Sequence, residues 1–280
     1  MYLIMKVSVV ISYYNRRDLF IKTLQSISNT QFKGEFEIIV VDDASIKPQH
    51  IDDLPELFPK LNLKVMQIDK KDKWWINPCI PNNIGFEIAS GDVIIIQNPE
   101  CLHMGDIISY AAENIGINKY IVFGCYAVDY DKTAQISRIT GSDILTINGI
   151  IQPTNDMLLD QCPYMDRWYQ HSEYSPRGLN FCTTITKQDL EDLGGFDELY
   201  AYGQCYDDAE FVRRIRRKGM YVDMIDSPFV VHQCHGYGSH NDMNLVNLNN
   251  NLFDGTANSE DFRVINKHTK SLVERIDRKQ

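Results

Sequence analysis

Short apolar segments of strand length alternate with segments of helical periodicity through the first half of the chain. Val7–Tyr13 and Glu37–Val41 are rich in β-branched residues, which is typical of buried strands. Between them, Arg16–Ser28 carries apolar residues at helical spacing along one side. The same pattern predicts strands at Leu63–Ile68, Asp92–Ile96 and Tyr120–Val128, and helices at Asn82–Ser90 and Met104–Asn114. This order predicts an α/β fold whose mostly parallel, Rossmann-like central sheet carries helices on both faces.

Two segments do not follow this alternation. Residues 129–178 are richer in turn-forming and polar residues and contain Trp168 and several tyrosines, so we predict a variable lobe or long loop over the sheet edge. Residues after 241 contain the run NLNNN and a charged end, which predicts a tail or flap that is partly disordered.

The net charge limits the kinds of partner that we expect. A formal charge of −10 over 280 residues disfavours binding to nucleic acid through its phosphates, so no nucleic-acid partner is expected. The basic run at 213–218 has helical spacing, and we interpret it as a solvated helix face.

Cysteine usage and hydropathy bear on where the protein resides. The seven cysteines are irregularly spaced and form no CxxC pair, which is typical of a reduced, intracellular chain. The apolar N-terminal stretch is interpreted as the first strand, and no segment approaches the roughly 18 apolar residues of a membrane span. We therefore expect a cytoplasmic protein without a transmembrane segment, and peripheral contact with a membrane stays open.

Polar residues follow the predicted strands at the edge where a parallel sheet binds its ligands. They are Tyr14 and Asn15, the pair Asp42–Asp43, and the segment Asn98–Pro99–Glu100. Neither GxxxxGK[ST] nor GxGxxG occurs in the chain. A nucleotide bound here would need another means of neutralising its phosphates, such as a divalent cation held by carboxylates.

Each of these segments also has a purely structural interpretation. Asp42–Asp43 could accept hydrogen bonds from a base or a ribose, or could form an Asx turn helped by Ser45. Asn98 and Glu100 could meet a ribose or a metal ion, or could belong to an ordinary strand-to-helix loop.

A second group of candidates lies between residues 207 and 235. Asp207–Asp208 opens a predicted helix, where capping alone explains the pair, but an Asp ionised at neutral pH could also act as a general base. His232 and His235 follow a predicted strand, and either could be a metal ligand or a buried, hydrogen-bonded histidine. A site that uses both would need a bend, because positions i and i+3 of a strand face opposite ways.

Four segments in this order together resemble family 2 glycosyltransferases of GT-A fold. They are VSVVISYYNR, FEIIVVDDAS, NNIGFEIASGDVIIIQNPE and LEDLGGFDELYAYGQCYDDAEFVRRIRRKG. The likeness covers residues 7 to about 235, with a gap at 130–178. It departs from the family pattern at Ser12, where a proline is expected, and at Asn98-Pro99-Glu100, which replaces the Asp-x-Asp metal motif and has one carboxylate fewer.

The resemblance implies roles for the residues that match its motifs. Nucleotide-sugar contacts are implied for Ser12, Tyr14, Asn15, Asp42, Asp43, Asn83, Gly85 and Asn98. Among them, Asp42 and Asp43 would hold the base of the nucleotide, and Asn83 and Gly85 would lie at the edge of the diphosphate site. Metal ligation is implied for Glu100 and His232, and catalysis for Asp207 and Asp208, with Asp208 as the base.

The function implied by the resemblance is sugar transfer from a nucleotide diphosphate, with a UDP-sugar as the expected donor. Transfer would go with inversion to the hydroxyl of a glycan or other acceptor, assisted by Mn²⁺ or Mg²⁺, in glycan or polysaccharide biosynthesis. The implied organisation is one GT-A domain at 1–240, with a nucleotide-binding part at 1–103 and an acceptor and catalytic-base part at 104–240. The lobe at 129–178 would be variable and lie on the acceptor side, and a tail or flap would follow at 241–280.

Two alternative functions remain. One is a GT-A-fold module that binds nucleotide sugars with weakened catalysis, which the altered metal motif favours. The other is a sugar-phosphate nucleotidyltransferase, but the segment SYYNRRD after the first strand lacks the glycine that such enzymes carry there. Trp168 and Trp74–Trp75 could stack against sugar rings of the acceptor or pack in the core.

Overall fold

The computed structural model describes residues 5–139, 147–151, 153, 166–235 and 242–277. The strands in these residues are β1 (Val7–Tyr13), β2 (Phe36–Asp42), β3 (Leu63–Gln67), β4 (Val93–Gln97), β5 (Cys101–Met104), β6 (Lys119–Ala127), β7 (Arg167–Gln170), β8 (Cys182–Thr186) and β9 (Tyr221–His232). The α-helices are α1 (Arg17–Ile27), α2 (Leu54–Leu57), α3 (Cys79–Ile88), α4 (Ile107–Asn114), α5 (Tyr130–Ser137), α6 (Ile147–Ile150), α7 (Lys187–Leu193), α8 (Asp207–Arg217), α9 (Met243–Gly255) and α10 (His268–Asp277). Short 3₁₀ helices occur at Lys47–Gln49 and Glu198–Tyr202.

The strands form one sheet in the order β3-β2-β1-β4-β8-β6-β9-β5, with β7 paired to β6. Strands β3, β2, β1 and β4 are parallel to one another, and β6 is parallel to β9. Strand β8 runs antiparallel to both β4 and β6. The predicted α/β fold with a mostly parallel central sheet is confirmed.

Both faces of the sheet are covered, because alternate strand residues point to opposite sides. Val9 belongs to a buried cluster with Phe20 of α1 and Ile107 of α4. Val10, its neighbour on β1, belongs to a second cluster with residues of α3 and α8, including Phe211. The near-continuous apolar runs of the first strands therefore reflect burial on two sides.

The helix predicted at Met104–Asn114 is shorter than expected. Met104 ends β5, and Gly105 has φ +97°, a conformation that favours glycine. Asp106 then caps α4, since its side chain accepts a hydrogen bond from the Ser109 N–H. The Gly-Asp pair separates a strand from a helix within one apolar segment.

The disorder predicted after residue 241 is wrong for 242–277, where α9 and α10 pack on the rest of the chain. The guanidinium of Arg213 on α8 lies 3.2 Å from the centroid of the Phe253 ring of α9. Leu272 of α10 is 3% exposed and joins the cluster beneath α3 and α8. Glu198 accepts hydrogen bonds from three backbone N–H groups at the start of α10.

The basic run at 213–218 is only in small part the solvated face that its spacing suggested, because Arg216 is its one exposed cation. Arg214 is 2% exposed, and its Nε and Nη2 donate to the two carboxylate oxygens of Glu210 at 2.5 and 2.9 Å. Lys218 pairs with Asp189 and Asp192. These cations are thus paired within the fold.

Among the helices of the described residues, none has both the length and the apolar character needed to cross a membrane. The six cysteines in these residues are free thiols, and Cys162 lies outside them.

Candidate active site

The strand register brings the predicted site residues to one rim of the sheet. Tyr13 pairs with Asp42 across β1 and β2, and Ile11 pairs with Gln97 across β1 and β4. Cys101 pairs with His232 across β5 and β9. The carboxyl ends of β1, β2, β4 and β9 therefore share an edge with the start of β5, as parallel strands require.

Glu100 stands at the centre of a compact polar cluster on this rim. Its side chain is buried, and its Oε2 accepts a hydrogen bond from Arg16 Nη1 at 2.7 Å. Its Oε1 lies 3.1 Å from His232 Nε2 and 3.5 Å from His235 Nε2. Burial alone would raise the pKa of Glu100. The charge of Arg16 and the contacts with both histidines nevertheless hold that pKa well below its usual range.

These three residues could hold a divalent cation. One ligand atom each from Glu100, His232 and His235 can be chosen so that all lie within 4.8 Å of one another. One carboxylate oxygen and two imidazole nitrogens form a donor set that transition-metal ions accept more readily than Mg²⁺ does. His232 and Glu100 were expected to meet here, and His235 is the third member.

His235 reaches Glu100 because the chain leaves the strand after His232. Strand β9 ends at His232, so the alternation that would turn His235 away no longer applies. Between them, Gln233 is 1% exposed and donates its N–H and its Nε2 to the carbonyl of Glu100 at 3.2 and 3.0 Å. Sequence reasoning missed both Gln233 and Arg16, and only the position of Arg16 after β1 could have pointed to it.

Asp42 and Asp43 play different parts in the structure. Asp42 Oδ1 accepts a hydrogen bond from the N–H of Ser45, three residues on, at 3.0 Å, so Asp42 takes the structural role and fixes the turn after β2. Asp43 accepts from Trp75 Nε1 at 2.8 Å and pairs with Lys73 at 2.7 Å. Burial raises the pKa of Asp43 to about 6, against the opposing effect of Lys73. Asp43 is thus the member with a buried, charge-paired carboxylate.

The end of β1 lines the same region. Ser12 is half-buried in the strand, whereas Tyr14 is 40% exposed beneath Lys73, whose Nζ lies 4.3 Å from the ring centroid. Asn15 has φ +52°, and its side-chain oxygen accepts a hydrogen bond from the Ile46 N–H at 2.9 Å. Asn15 therefore joins the loop after β1 to the loop after β2.

Asn83 and Gly85 on α3 serve packing in this structure. Asn83 is 4% exposed, donates to the Phe196 carbonyl at 2.9 Å and accepts from the Phe196 N–H at 2.8 Å. A Cβ atom added at Gly85 would stand 2.4 Å from Val10 Cγ1. The side-chain amide of Asn83 is engaged at both ends, and Gly85 allows α3 to approach the sheet closely.

Asp207 and Asp208 lie at the start of α8, next to the start of α3. Both are half-buried, and Asp207 Oδ1 accepts from Asn77 Nδ2 at 2.8 Å. Since α3 leads into β4 and α8 leads into β9, both helices begin at the rim of the strand carboxyl ends. Burial and the neighbouring Asp207 charge raise the pKa of Asp208 to about 7. This raised pKa opposes the expectation that Asp208 stays ionised at neutral pH.

Residues at the start of β8 connect the two halves of the site. The backbone N–H of Asn98, which is half-buried, donates to the Phe181 carbonyl at 3.1 Å, and the Phe181 ring lies 5.8 Å from the His232 ring. The adjacent Asn180 accepts a hydrogen bond from the hydroxyl of Tyr120. Burial raises the pKa of Tyr120, and the charge of Asp208 contributes. Asn180 and Phe181 thus lie between the cluster around Glu100 and the Tyr120 hydroxyl.

The tryptophans differ in surroundings. Trp168 packs edge-on against Tyr126 and Phe229 at 5.1 and 5.5 Å. Trp75 is 2% exposed, whereas Trp74 is 40% exposed and packs against Tyr202 at 4.9 Å.

Comparisons with known proteins agree with this architecture. Poly(ribitol-phosphate) beta-N-acetylglucosaminyltransferase TarS of Staphylococcus aureus is 33% identical over 97 residues, which are 34% of this chain and 16% of that protein. A dolichol-phosphate mannosyltransferase of Pyrococcus furiosus is 32% identical over 120 residues, which are 43% of this chain and 33% of that protein. The chain thus spans a third or less of the length of these relatives.

Two solved structures have the same fold. TarS residues 1–349 in complex with UDP-GlcNAc superpose with a TM-score of 0.54 at 19% identity, over 85% of this chain and 61% of that one. The mannosyltransferase PcManGT of Pyrobaculum calidifontis, in complex with GDP-Man and Mn²⁺, gives a TM-score of 0.53 at 17% identity, over 85% of this chain and 59% of that one. Residues 8–169, more than half of the chain, match the family described as glycosyl transferase family 2. The chain therefore belongs to glycosyl transferase family 2 and has the GT-A fold.

Proposed function

We propose that the protein transfers a sugar from a nucleotide diphosphate to an acceptor hydroxyl with inversion at the anomeric carbon. One observation carries the proposal: the strand register and the starts of α3 and α8 bring Asp43, Glu100 and Asp208 to a common rim. Family membership supports the reaction class. The reaction needs a site for the base of the nucleotide and a means of stabilising the leaving diphosphate. It also needs a general base that takes the proton of the acceptor hydroxyl.

The base of the nucleotide would lie against Asp43, Lys73 and Tyr14. Tyr14 offers an exposed aromatic face, and Asp43 offers carboxylate oxygens that accept hydrogen bonds from a base. Asp42 would act through the hydrogen bond that it accepts from Ser45, which sets the direction of the loop. Ser12 and Asn15 would shape the same loop, and Asn83 and Gly85 would support the site from α3 without contacting the donor.

Glu100, His232 and His235 would hold a divalent cation, and Mn²⁺ suits their oxygen and nitrogen donors better than Mg²⁺. Such an ion stabilises the negative charge that develops on a leaving diphosphate. Arg16 pairs with Glu100 and would keep that carboxylate ionised and fixed in place. Asn98 would face the ribose beside them.

Asp208 would act as the general base and take the proton of the acceptor hydroxyl as that oxygen attacks the anomeric carbon. A pKa of about 7 suits this role, because a base is most effective when its pKa lies near the working pH. The charge of Asp207 would raise the pKa of Asp208, and the hydrogen bond that Asp207 accepts from Asn77 would fix the start of α8. Inversion follows from a single in-line displacement.

The donor is proposed as a UDP-sugar and the acceptor as a glycan or another hydroxyl compound. The TarS structure contains UDP-GlcNAc and the PcManGT structure contains GDP-Man, so both donors belong in the first test. The competing function is a module that binds nucleotide sugars without turnover. The altered segment Asn98-Pro99-Glu100 is the feature that favours it.

The test measures release of UDP or GDP from UDP-GlcNAc and GDP-mannose by the full chain, with and without Mn²⁺. Asp208→Asn should lower the rate by about 10²-fold or more while it retains Mn²⁺-dependent binding of the nucleotide in calorimetry. Glu100→Gln should weaken that binding, whereas Glu113→Gln, at an exposed position on α4, should change neither quantity. Equal rates in wild type and Asp208→Asn would remove Asp208 from the reaction. Binding without turnover in the wild type would favour the module.

A further inference from the structure

We propose that Asn249 of α9 is a positioning residue for Asp208. Helix α9 would fix the loop that precedes Asp207 and Asp208, called the catalytic pair below. This inference rests on the proposed role of Asp208 as the base. Residue 249 lies in the NLNNN run, which none of the steps above uses.

Asn249 is fully buried, and its side chain is directed at the loop before α8. Its Nδ2 donates to the carbonyl of Tyr200 at 3.1 Å and to the carbonyl of Cys205 at 2.9 Å. Its Oδ1 lies above Gly203, where an added Cβ atom would be 2.2 Å away. One side chain thus fixes both ends of the segment from Tyr200 to Cys205.

The segment that Asn249 holds has an unfavourable backbone. Cys205 and Tyr206 have φ values of +61° and +68°, which residues other than glycine rarely adopt. Consecutive residues in this region persist only when their surroundings fix them. Asp207 and Asp208 follow directly, so the direction in which their carboxylates point depends on these two residues.

Other contacts from α9 act on the same loop. The Leu245 carbonyl accepts a hydrogen bond from the Gln204 N–H at 3.1 Å. The Tyr206 ring packs against the Phe253 ring at 5.4 Å, and the Phe253 carbonyl accepts from Arg213 Nη1 at 2.6 Å. Helix α9 therefore contacts the loop on both sides of Asn249 and also contacts α8 beyond the catalytic pair.

The consequence for the reaction is geometric. A general base works only when its oxygen lies within hydrogen-bond reach of the proton that it takes. Displacement of catalytic groups by about 1 Å can cost about 10²-fold in rate. Without the two hydrogen bonds of Asn249, Cys205 and Tyr206 can relax to ordinary backbone conformations, and Asp208 moves with them.

The experiment compares Asn249→Ala with the exposed control Asn251→Ala on the same helix. Alanine keeps the helix and removes the amide contacts. For whichever of UDP-GlcNAc and GDP-mannose the wild type hydrolyses, kcat of Asn249→Ala should fall about ten- to hundredfold. KM for the donor and the affinity for the nucleotide with Mn²⁺ should stay within about twofold, since the contacts of α9 described above are with the loop before α8 and with Arg213. Asn251→Ala should match the wild type in every quantity.

A second readout does not depend on activity. The titration of Asp208, followed by ¹³C NMR of its carboxyl carbon and assigned with Asp208→Asn, should shift in Asn249→Ala and not in Asn251→Ala. An unshifted titration together with an unchanged kcat in a folded Asn249→Ala protein would overturn the inference. So would a loss of kcat matched by an equal loss of nucleotide affinity, because that pattern indicates general damage to the fold.

If Asn249→Ala does not fold, Phe253→Leu removes a separate contact of α9 with Tyr206. It should give the same pattern at smaller size, and its absence would count against the inference. If wild type and Asp208→Asn hydrolyse both donors equally slowly, the proposed function fails. The carboxyl titration still decides whether Asn249 positions Asp208.

Discussion

Under the proposed function, the acid limb of the pH–rate profile tests the electrostatics of Asp207 and Asp208. Burial and the charge of Asp207 raise the pKa of Asp208 to about 7. In its proposed role as general base, Asp208 must be ionised, so the rate should rise with pH through this value. Between pH 8 and pH 6 the ionised fraction, and with it the rate, should fall about tenfold.

Asp207→Asn separates the two causes of the raised pKa. The amide keeps an oxygen that can accept the hydrogen bond from Asn77 Nδ2, but the negative charge beside Asp208 is gone. The pKa of Asp208 should fall, and the acid limb should move to lower pH. The shift should be smaller than the whole rise, because burial is the larger cause.

Two other titrating groups close to Asp208, Cys205 and Tyr120, do not contribute to this limb. Burial raises the pKa of Cys205 and of Tyr120, so both stay protonated below pH 8. Asp43, whose pKa burial raises to about 6, is present in every protein compared and does not alter the difference between them. The assay records nucleotide release from pH 5 to pH 9 for wild type, Asp207→Asn and Asp52→Asn, an exposed site that loses the same charge. If the limb stays at the same pH in Asp207→Asn as in the other two proteins, the electrostatic reasoning is refuted.

Two further predictions concern stability. Because the folded protein disfavours an ionised Asp208, stability is lost as pH rises from the ordinary Asp range to about 7, so Asp208→Asn should be more stable at pH 8 but not at pH 4. The full shift would correspond to roughly 4 kcal/mol, and about half of it is expected because the carboxylate remains partly hydrated. An equal change in Tm at both pH values would contradict this. Asn83→Ala should cost about 2–3 kcal/mol in urea unfolding, because the buried N–H of Phe196 loses its acceptor. Asn29→Ala, at an exposed position, should cost little, and similar losses in the two variants would argue against the contact.

The sheet could be predicted from the sequence because its signals are local. The β-branched runs of β1 and β2 need no knowledge of distant residues, and burial on both faces makes them nearly continuous. The tail could not be predicted in this way. Its polar run contains Asn249, and nothing in the run distinguishes this buried residue from its more exposed neighbours. The carbonyls that accept the hydrogen bonds of Asn249 belong to a loop more than forty positions earlier in the chain.

The residues of the candidate site were likewise predictable only where their signals are local. Acidic residues at strand and helix ends, such as Asp43 and Asp208, could be named from their positions. The partners that set their protonation could not, because Lys73 and Trp75 meet Asp43 only through the turn that follows β3. Only the structure separates Asp42, which fixes the turn after β2, from Asp43, whose carboxylate is paired with Lys73.

The replaced metal motif has a consequence for the order of binding under the proposed function. Two carboxylates would offer a divalent cation two negative charges, whereas Glu100 here is already paired with Arg16. As ligands, His232 and His235 would be neutral imidazoles, so the cluster would contribute donor atoms but little net negative charge. The negative charge that balances the cation would then come mainly from the diphosphate of the donor. Because a cation and a diphosphate each improve the site for the other, we expect the two to bind together rather than in sequence.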